Sequence, residues 1–496
     1  MSIIWGINVG THDSSIASVV DGEIVYAAHG ERSSRIKNDK VLPEETVRQA
    51  LRASGGNPDK IVYYERDWLK RIRQLYAGQF KTAYNKPAID LLVPLVDSNI
   101  PSTSVAHHHS HAAAGYYTSP YRDAAVLVVD SIGEFETLTI WEGKGRDLKR
   151  VFSQGYPNSL GLWYSAMTQR IGLKPNEDEY ILMGWAALGD PEKYKKKIFE
   201  DFFHPLNPNS PTIRFKQNLH RGCKDWAPEL DTIQDYADIA AGTQAVYEYV
   251  FTHLVKQTKK LVDSENLVVM GGCALNCVAN SIAHKAYNGN VWIMPNPGDA
   301  GSSLGAVLAY HKDFVEWKGP YLGYNIPGTY PVDEAITELK TTGLVGIANG
   351  RAEFGPRALG NRSLIADPRG AGVQDLVNTV KQRQAFRPFA PMILEEYADE
   401  YFDGPTGPYM QYTSICRFPD KFPAIAHLDN TSRVQTVTKE QHPGLHRLLS
   451  TWMKETGCPI LLNTSLNIKG EPMVDTEADA QRWQDAYGVK VLTKGN

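Results

Sequence analysis

The stretch from His107 to Asp130 constrains the fold of this chain more than any other. Four of its first five residues are histidines, and the small residues Ala112 to Gly115 follow them. Small residues suit a closely packed helix, on which His107 and His111 lie on one face because they are four positions apart. The apolar run from Ala124 to Val129 then ends at Asp130. This run predicts a buried strand that delivers a carboxylate to the loop at its C-terminal edge.

Two imidazoles on one helical face and a nearby carboxylate form a set of ligands for a divalent transition metal such as Fe(II) or Zn(II). The alternatives are a cluster of histidines on the surface, or an imidazole that is satisfied inside the core. For a single histidine these alternatives would be favoured. Four histidines beside a strand that ends in aspartate favour metal or phosphate chemistry instead.

The size and charge of the chain place broad limits on its class. The 496 residues exceed the usual size of one hydrophobic core, so two domains, or one domain with large insertions, are expected. A formal net charge of −4 gives no overall electrostatic reason to bind nucleic acid or a membrane.

The cysteine content and the hydropathy of the sequence indicate the cellular compartment in which the protein is expected. The five cysteines are odd in number and lack the paired spacing of a zinc site, which fits a reducing cytoplasm. The N-terminus has no basic region followed by a long apolar run, and no window of the sequence is apolar over the length of a membrane span. We therefore expect a cytoplasmic protein with no membrane partner.

The N-terminal segment has the pattern of strands joined by small turns. An apolar strand from Ser2 to Val9 breaks into a polar turn, and Asp21-Gly22 makes a two-residue hairpin between the next two strands. The actin-like, sugar-kinase-like ATPase fold begins in this way, although many β-hairpins share the pattern. The segment Glu31 to Lys37 then places three cations close together. Such a segment suits either phosphate binding or a solvated charged loop.

Two glycine-rich turns follow predicted strands in the middle of the chain. The strand from Leu267 to Met270 ends at Gly271-Gly272, where backbone amides can approach a nucleotide closely. A second turn carries Asp299 directly before a helix. Asp299 is a candidate carboxylate for a metal-phosphate site, and the alternative is a plain helix N-cap.

The segment from Trp68 to Lys86 mixes five basic residues with four aromatic ones. Such a mixture can hold a nucleic-acid strand through phosphate pairing and base stacking. The interpretation that we favour is an amphipathic helix whose aromatic side chains pack inward.

The chain changes in character after residue 319. Three glycines, three prolines and three tyrosines lie between Gly319 and Pro331, a composition that predicts a linker or a domain boundary. A new α/β unit is predicted to start at Leu344, and its loops are rich in arginine. Arginine and lysine on loops among glycine, proline and serine favour the binding of a small polyanion.

Together these motifs resemble those of the O-carbamoyltransferases of the NodU/CmcH type. The matching motifs of the first half are His12-Asp13-Ser14, Glu31 to Lys37, His107 to Ala112, Asp130, Gly271 to Asn276, and Gly298 to Gly301. Those of the second half are Gly355 to Ser363, Phe386 to Pro391, Arg433 to Val437, and Leu462 to Ser465. The resemblance spans almost the whole chain.

The resemblance implies an α/β protein with two domains. Residues 1–325 would form a two-lobed, actin-like domain of the ASKHA, ribonuclease-H-like type, which transfers the carbamoyl group. Residues 335–496 would form a YrdC-like α/β domain, which makes carbamoyl-adenylate from carbamoyl phosphate and ATP. The implied activity is transfer of the carbamoyl group to an acceptor hydroxyl.

The resemblance also implies roles for individual residues. Fe(II) or another divalent metal would be held by His107, His111, Asp130 and Asp299, and Mg²⁺ is a further candidate cofactor. The transfer site would contain His12, Asp13 and Lys37, with His12 as the base for the acceptor hydroxyl. The nucleotide would be bound by Gly271, Gly272, Asn276, Gly301, Arg357, Asn361 and Arg362. Carbamoyl phosphate would be bound by Lys381, Arg383, Arg433 and Ser465.

Two positions depart from the family pattern. Ile181 stands where the family usually has a lysine, and Cys273 replaces a common valine. The first change removes a cation near the expected pocket, which leaves room for an acceptor that differs from the family's usual ones.

The acceptor that we expect is the hydroxyl of a small metabolite or sugar. The alternative is a hydroxymethylated pyrimidine in DNA, which the basic and aromatic segment keeps open. Two other classes of function are a non-catalytic nucleotide-binding module and a phosphohydrolase that uses the same metal. The chain could also form an oligomer.

Overall fold

The computed structural model describes residues 1–10, 12–83, 96, 99–370, 372–383, 387 and 389–495, and it leaves the side chains of residues 82 and 83 undescribed. Parts of two predicted motifs, residues 84–86 and residues 386 and 388, lie outside the described residues. The chain forms two compact units. The first unit contains Met1–Ile61, Leu91–Pro101 and Glu316–Asn496, and the second contains Val62–Asp90 and Ser102–Val315.

The strands, in chain order, are β1 Ile3–Asn8, β2 Ser15–Val20, β3 Glu23–His29, β4 Lys60–Tyr63, β5 Ser102–Ser104, β6 Asp123–Gly133, β7 Glu136–Lys144, β8 Asp147–Gly155, β9 Asn266–Met270, β10 Asn290–Trp292, β11 Tyr321–Ile326, β12 Leu344–Ala348, β13 Gly350–Glu353, β14 Arg362–Ala366, β15 Ala390–Leu394, β16 Phe402–Asp403, β17 Ser414–Cys416, β18 Thr431–Ser432, β19 Gln435–Val437, β20 Ile460–Ser465 and β21 Val491–Leu492.

The helices, in chain order, are α1 Gly30–Ser34, α2 Glu44–Ser54, α3 Asp67–Tyr76, α4 Phe80–Ala83, α5 His107–Thr118, α6 Leu160–Arg170, α7 Glu179–Trp185, α8 Pro191–Phe202, α9 Ile233–Leu261, α10 Cys277–Tyr287, α11 Ser302–His311, α12 Val332–Thr342, α13 Val373–Lys381, α14 Ala398–Tyr401, α15 Pro443–Thr456 and α16 Glu477–Tyr487. Within the described part of the chain, none of these helices combines the length and the apolar character that crossing a membrane requires.

The sheet of the second unit has the order β10-β9-β6-β7-β8. On one side of β6 the strands β7 and β8 pair antiparallel, and on its other side β9 and β10 lie parallel to it. Counted along the chain, the five strands have the order 3-2-1-4-5, which is the arrangement of a ribonuclease-H-like fold. This topology confirms the predicted actin-like class of α/β fold.

The histidine-rich helix and the central strand form as predicted. Helix α5 begins at His107, and the run from Ala124 to Val129 in β6 is fully buried. Helix α5 packs against α11, where a Cβ atom at Gly305 would lie 1.9 Å from Ser110 O. Small residues are therefore needed for the two helices to approach this closely. Strand β6 continues past Asp130 to Gly133, but its pairing with β7 is interrupted between Val129 and Gly133.

The first unit opens with the antiparallel strands β3-β2-β1. Asp21 and Gly22 join β2 to β3 with φ angles of 49° and 85°, as the predicted hairpin turn requires.

Three arginines tie this N-terminal segment to the C-terminal part of the same unit. Arg32 donates to Gly355 O at 3.0 Å and Arg35 to Pro472 O at 2.8 Å, while Arg351 donates to the carbonyl of Val25 at 2.5 Å. These contacts explain why Met1–Ile61 belongs to the same unit as Glu316–Asn496, a grouping that the predicted division into residues 1–325 and 335–496 did not include.

The C-terminal part of the first unit is built on a six-stranded sheet with the order β19-β15-β20-β14-β12-β21. Its three central strands β15, β20 and β14 are antiparallel, and helices α12 and α15 pack on the sheet. The predicted α/β unit from Leu344 is therefore confirmed, and its YrdC-like type stays a prediction. The stretch from Gly319 to Pro331 is not a linker, because it contains β11, which pairs with β13. The alternative, a domain boundary, agrees with the change from the second unit to the first after Val315.

Helix α3 has the reverse of the expected orientation. The predicted helix is present only as far as Tyr76, and Phe80 begins the separate short helix α4. Trp68, Tyr76 and Phe80 are 60%, 74% and 62% exposed. The buried residues of this helix are the cations Lys70 and Arg73, which contact the Glu65 carboxylate and the backbone carbonyl of Glu134. The prediction of inward aromatic side chains is wrong because these internal acceptors draw the cationic face inward.

Arg362, the first residue of β14, is fully buried. Its guanidinium donates to five backbone carbonyls, those of Asp475, Asn349, Gly350, Asn361 and Tyr324, at 2.8–3.2 Å. Arg362 thereby joins four separate segments of the first unit.

We predict that Arg362→Met lowers the free energy of unfolding by about 3 kcal/mol or more, because it leaves several buried carbonyls without donors. A urea titration followed by circular dichroism measures the change. The control is Arg52→Met, whose side chain is 67% exposed and pairs with Glu45; its effect should stay below about 1 kcal/mol. Equal effects of the two substitutions would contradict the structural role of Arg362.

Candidate functional site

Four side chains from α5, β6 and the turn before α11 meet in the second unit. Asp299 Oδ1 lies 3.3 Å from Nε2 of both His107 and His111. Asp130 Oδ2 lies 3.3 Å from His107 Nε2 and 3.9 Å from His111 Nε2. One donor atom from each of the four lies within 4.8 Å of the other three. The structure therefore brings together all four predicted metal ligands.

Each histidine of this cluster has a polar neighbour at its other ring nitrogen. Ser302 Oγ lies 3.0 Å from His111 Nδ1, and Glu65 Oε2 lies 3.5 Å from His107 Nδ1. The second contact is at the limit of a hydrogen bond, and His107 Nδ1 has no closer partner among the described residues. These neighbours leave Nε2 as the ligand atom of both rings.

Sequence reasoning missed Glu65 and Ser302. The Glu65 carboxylate is buried and accepts hydrogen bonds from Lys70 and from the Tyr63 hydroxyl. The available signal was a carboxylate directly after the apolar run from Ile61 to Tyr64, the same pattern that identified Asp130.

Burial and the charges within the cluster shift the pKa values of its residues in opposite directions. Burial disfavours a proton on His107, but Asp299, Asp130 and Glu65 outweigh it and hold the pKa of His107 well above its ordinary value. For Asp130, burial and the charge of Asp299 favour the neutral carboxyl, yet the histidines outweigh them and lower its pKa to about 2. The carboxylates of Asp130 and Glu65 are thus charged. Nε2 of His107 and Nε2 of His111 lie 3.1 Å apart, and a divalent cation could take the place of a proton between the two rings.

The four residues fit a divalent metal in their chemistry as well as in their spacing. Two imidazole nitrogens and two carboxylates suit Fe(II), Zn(II) or a similar ion. Asp299 is not a helix N-cap, because it is the first residue of a short 3₁₀ helix, Asp299–Gly301, whose N-cap is Gly298, and Gly301 occupies the N-cap position of α11. The plain capping role considered for Asp299 is therefore excluded.

The other two histidines of α5 face elsewhere. The His109 ring stacks on Trp141, with ring centroids 5.2 Å apart. His108 Nδ1 lies 3.0 Å from Thr139 Oγ1, and burial together with the charge of His107 keeps its pKa well below the ordinary value.

The glycine turn after β9 supports a metal ligand. Gly272 N donates to Asp130 Oδ1 at 3.1 Å, and Gly271 N donates to Pro297 O at 2.9 Å. Gly271 has a φ of 91°, and a Cβ atom there would lie 2.2 Å from Val129 O. Glycine is therefore required, and the turn orients the carboxylate of Asp130. The nucleotide contacts of both glycines stay predictions.

The other two predicted nucleotide residues of the second unit have structural contacts. Asn276 caps α10 by accepting from Ala279 N at 3.1 Å, and its amide pairs with that of Gln244. Gly301 donates its amide to Gly298 O at 3.0 Å. Their nucleotide contacts also stay predictions.

In the first unit, the side chains of Asn361 and Arg362 form hydrogen bonds within the protein. Asn361 lies with Oδ1 2.8 Å from His442 Nε2, and its amide nitrogen donates to Arg351 O at 2.8 Å. Arg362 donates to carbonyls as described above. Arg357 is half-buried, so it is the one of these three with a side chain partly accessible to a nucleotide.

Lys381 stands at the centre of a cationic group in the first unit. Its buried Nζ donates to Ser465 Oγ at 3.1 Å and to Asn467 Oδ1 at 2.6 Å. Burial, followed by the charges of Arg383, Arg387 and Lys37, holds the pKa of Lys381 well below its ordinary value. Sequence reasoning missed Asn467, although it lies two residues after Ser465.

Arg383 and Arg433 are the other two cationic residues predicted to bind carbamoyl phosphate. Arg383 donates to Asn378 Oδ1 at 2.8 Å and lies over the ring of Phe389. Arg433 Nε is buried and has no partner among the described residues. We define the cationic group as Lys37, Lys381, Arg383 and Arg387, because the charges of the other three residues act on Lys381.

The loops that carry the predicted transfer residues lie side by side in the first unit. Gly10 N donates to Lys40 O at 2.8 Å, and Ser14 N donates to Asp39 O at 2.7 Å. On the turn between them, His12 Nδ1 lies 2.9 Å from Asp13 Oδ2. The two backbone hydrogen bonds hold this turn beside the loop that follows Lys37, and the roles of His12, Asp13 and Lys37 in transfer stay predictions.

The two departures from the family pattern lie in the second unit. Ile181 is a buried residue of α7, so a lysine at this position would need a buried partner. Cys273 lies in the turn after Gly272, where burial raises the pKa of its thiol to about 12. Neither side chain therefore supplies a charge.

Comparison with known proteins assigns the chain to a family. The family model described as "Carbamoyltransferase N-terminus" matches residues 79–308, and the model described as "Carbamoyltransferase C-terminus" matches residues 336–496. An uncharacterised protein of Synechocystis is 33% identical, over 97% of this chain and 94% of that protein. The chain belongs to the carbamoyltransferase family.

Named relatives agree with this assignment. The nodulation protein NolNO of Sinorhizobium fredii is 31% identical, over 95% of this chain and 76% of that protein. The 3'-hydroxymethylcephem-O-carbamoyltransferase of Amycolatopsis lactamdurans is 27% identical, over 98% of this chain and 97% of that protein. The resemblance to the NodU/CmcH type is confirmed. This carbamoyltransferase is thus a transferase enzyme, and its relatives support transfer of the carbamoyl group to a hydroxyl.

Solved structures with similarity to this carbamoyltransferase include HypF from T. kodakarensis, with 11% identity over 63% of this chain and 48% of that chain and a TM-score of 0.39. Another is the activator of 2-hydroxyisocaproyl-CoA dehydratase from Clostridium difficile, with 14% identity over 62% of this chain and 95% of that chain and a TM-score of 0.34. The fold assignment rests on the strand order described above.

We predict that His111→Ala lowers the content of divalent metal and the rate of carbamoyl transfer together, because one of four ligands is lost. The loss in metal affinity should be at least as large as the roughly 10–100-fold effect of removing an outer-shell partner. Elemental analysis after purification in Fe(II) measures the content. The matched control is His109→Ala on the same helix, which should keep its metal. Loss of metal only in the His109 variant would contradict the ligand set.

Proposed function

We propose that this carbamoyltransferase forms carbamoyl-adenylate from carbamoyl phosphate and ATP, and then transfers the carbamoyl group to the hydroxyl of a small molecule. The observation that carries the proposal is the cationic group around Lys381. Its buried ammonium lies among other cations that disfavour its charge, and a bound phosphate would neutralise them.

The proposed reaction balances in two stages. Water releases phosphate from carbamoyl phosphate, and the oxygen of the resulting carbamate attacks the α-phosphorus of ATP and displaces pyrophosphate. The acceptor hydroxyl then attacks the carbamoyl carbon, gives its proton to a base, and displaces AMP. Adenylation is useful because the carbamoyl group is a poor electrophile and AMP is a good leaving group.

The residues of the first unit have distinct proposed roles. Lys381, Arg383, Arg433 and Ser465 hold carbamoyl phosphate, and Arg357 contacts the nucleotide. His12 accepts the proton of the acceptor hydroxyl, and its contact with Asp13 orients the ring. Lys37, whose charge acts on Lys381, stabilises the negative charge that develops on the phosphate.

The cluster of two histidines and two aspartates is proposed to hold Fe(II). When bound there, a divalent metal would supply a Lewis acid for the charge that develops on the leaving phosphate. Glu65 and Ser302 would orient the two imidazoles, because each faces the ring nitrogen that the metal does not use.

The burial of two cations in α3 weighs against DNA as the acceptor, whereas the exposed rings of Trp68 and Tyr76 leave base stacking open. Two of the cations in the basic and aromatic segment, Lys70 and Arg73, are buried, so they are not available to phosphates. The relative from Amycolatopsis is named for a small acceptor, 3'-hydroxymethylcephem. We therefore propose a hydroxyl on a small metabolite or sugar.

We predict that Lys381→Ala and Arg433→Ala each lower pyrophosphate release from carbamoyl phosphate and ATP by about tenfold to 150-fold. The reason is that a hydrogen bond to a charged group contributes about 1.5–3 kcal/mol. A coupled assay for pyrophosphate measures the rate. Lys454→Ala, which removes an exposed lysine of α15, is the control and should leave the rate unchanged.

The same two variants separate the proposed stages. Transfer from chemically supplied carbamoyl-adenylate should persist in Lys381→Ala and Arg433→Ala. Loss of both activities would argue against separate sites, and a wild-type protein that releases no pyrophosphate would contradict the proposed function as a whole.

For the acceptor, we predict that the protein does not retain plain or hydroxymethylated DNA in a filter-binding titration at low ionic strength. Binding that weakens steeply with salt would instead indicate phosphate contacts. In that case Arg71→Ala, which removes the partly exposed partner of Asp67, should weaken binding and make its salt dependence shallower. This outcome would favour DNA as the acceptor.

A further inference from the structure

The six-stranded sheet of the first unit contains a buried amide whose acceptor oxygen lacks a partner. Asn463, on β20, is 1% exposed. Its Nδ2 donates to Ala358 O at 3.1 Å and to Gln435 Oε1 at 2.7 Å. Its Oδ1 is buried and has no hydrogen-bond partner among the residues that the structure describes. A buried acceptor of this kind is costly unless a ligand or water satisfies it.

The orientation of this amide is fixed by its neighbours. Ala358 O can only accept, so the nitrogen of Asn463 must face it. Gln435 is oriented in the same way, because its own Nε2 donates to Leu359 O at 3.0 Å and leaves Oε1 to accept from Asn463. The assignment of oxygen and nitrogen in both amides therefore follows from two backbone carbonyls, and Asn463 must present Oδ1 in the remaining direction.

Asn463 precedes Ser465, one of the residues proposed to hold the phosphate, by two positions on β20. Side chains alternate along a strand, so Asn463 and Ser465 of β20 lie on the same face of the sheet, about 6.6 Å apart along the strand. Ser465 contacts Lys381. Similarly, Gln435 follows Arg433 by two residues. Each of the two segments thus offers a deep amide and, two residues away, a group suited to an anion.

We infer that Asn463 selects the carbamoyl group. This inference rests on the proposed function. In it, Asn463 Oδ1 accepts a hydrogen bond from the carbamoyl NH₂, while Lys381 and Ser465 hold the phosphate. The NH₂ group is what distinguishes carbamoyl phosphate from an acyl phosphate such as acetyl phosphate, which carries a methyl group at this place. The methyl group would leave Oδ1 without a donor, so the site rejects it.

The test is calorimetric titration of the full-length protein with carbamoyl phosphate and with acetyl phosphate. We expect the wild type to bind carbamoyl phosphate about tenfold to a hundredfold more tightly, the range for one buried polar group left unpaired. In Asn463→Leu the ratio of the two dissociation constants should fall to near one, mainly because carbamoyl phosphate binds more weakly. The ratio does not depend on the fraction of folded protein.

Two further variants sharpen the test. Thr464→Val changes the next residue of β20, on the opposite face, and should preserve the ratio. Arg433→Ala should weaken both ligands equally, because it acts on the phosphate end. Asn463→Ser, which is smaller and removes the amide, replaces the leucine variant if circular dichroism shows that the latter is unfolded.

The outcomes separate the two proposals. If the wild type binds neither ligand, the proposed use of carbamoyl phosphate is wrong. If it binds carbamoyl phosphate but does not prefer it to acetyl phosphate, or if the Asn463 variants keep the wild-type preference, the role of Asn463 is wrong and the proposed function still stands.

Discussion

The contact of one carboxylate oxygen with two buried imidazoles is the constraint on which the second unit depends. Asp299 Oδ1 lies 3.3 Å from Nε2 of both His107 and His111. Charged groups are costly to bury unless each faces an opposite charge, so α5, β6 and the turn before α11 must meet with little tolerance. The close approach of α5 and α11 at Gly305 and the glycine turn at Gly271 satisfy this requirement.

The first unit fixes one of its loops with buried polar side chains. The loop from Gly355 to Asn361 has little regular structure, and buried side chains fix its backbone instead. Glu353 Oε1 accepts from the amides of Leu359 and Asn361, while Asn463 and Gln435 donate to the carbonyls of Ala358 and Leu359. A polar layer beneath the loop thus replaces the ladder of a helix or strand, and it is rigid because nearly every contact in it is directional.

Local rules predicted the parts of the structure that depend on neighbours in sequence. The spacing of His107 and His111, the strand that ends near Asp130 and the hairpin at Asp21-Gly22 all follow from helix or strand periodicity and turn chemistry. Glu65 and Asn467 were missed, and Asn463 was given no role although it lies in the motif from Leu462 to Ser465, because these side chains have partners far away in the sequence. The orientation of α3 was predicted wrongly for the same reason, since Glu65 and Glu134 attract Lys70 and Arg73 against the usual preference of aromatic residues for the interior.

The three arginine contacts that join the ends of the chain have a consequence for its synthesis on the ribosome. Arg32 and Arg35 emerge early, yet their acceptors on Gly355 and Pro472 are made more than 300 residues later. Part of the surface of strands β1 to β3 therefore stays exposed to solvent until the whole second unit has been translated. The second unit can fold during this time. Chains released early would carry this uncovered surface, which makes them natural substrates for chaperones and proteases.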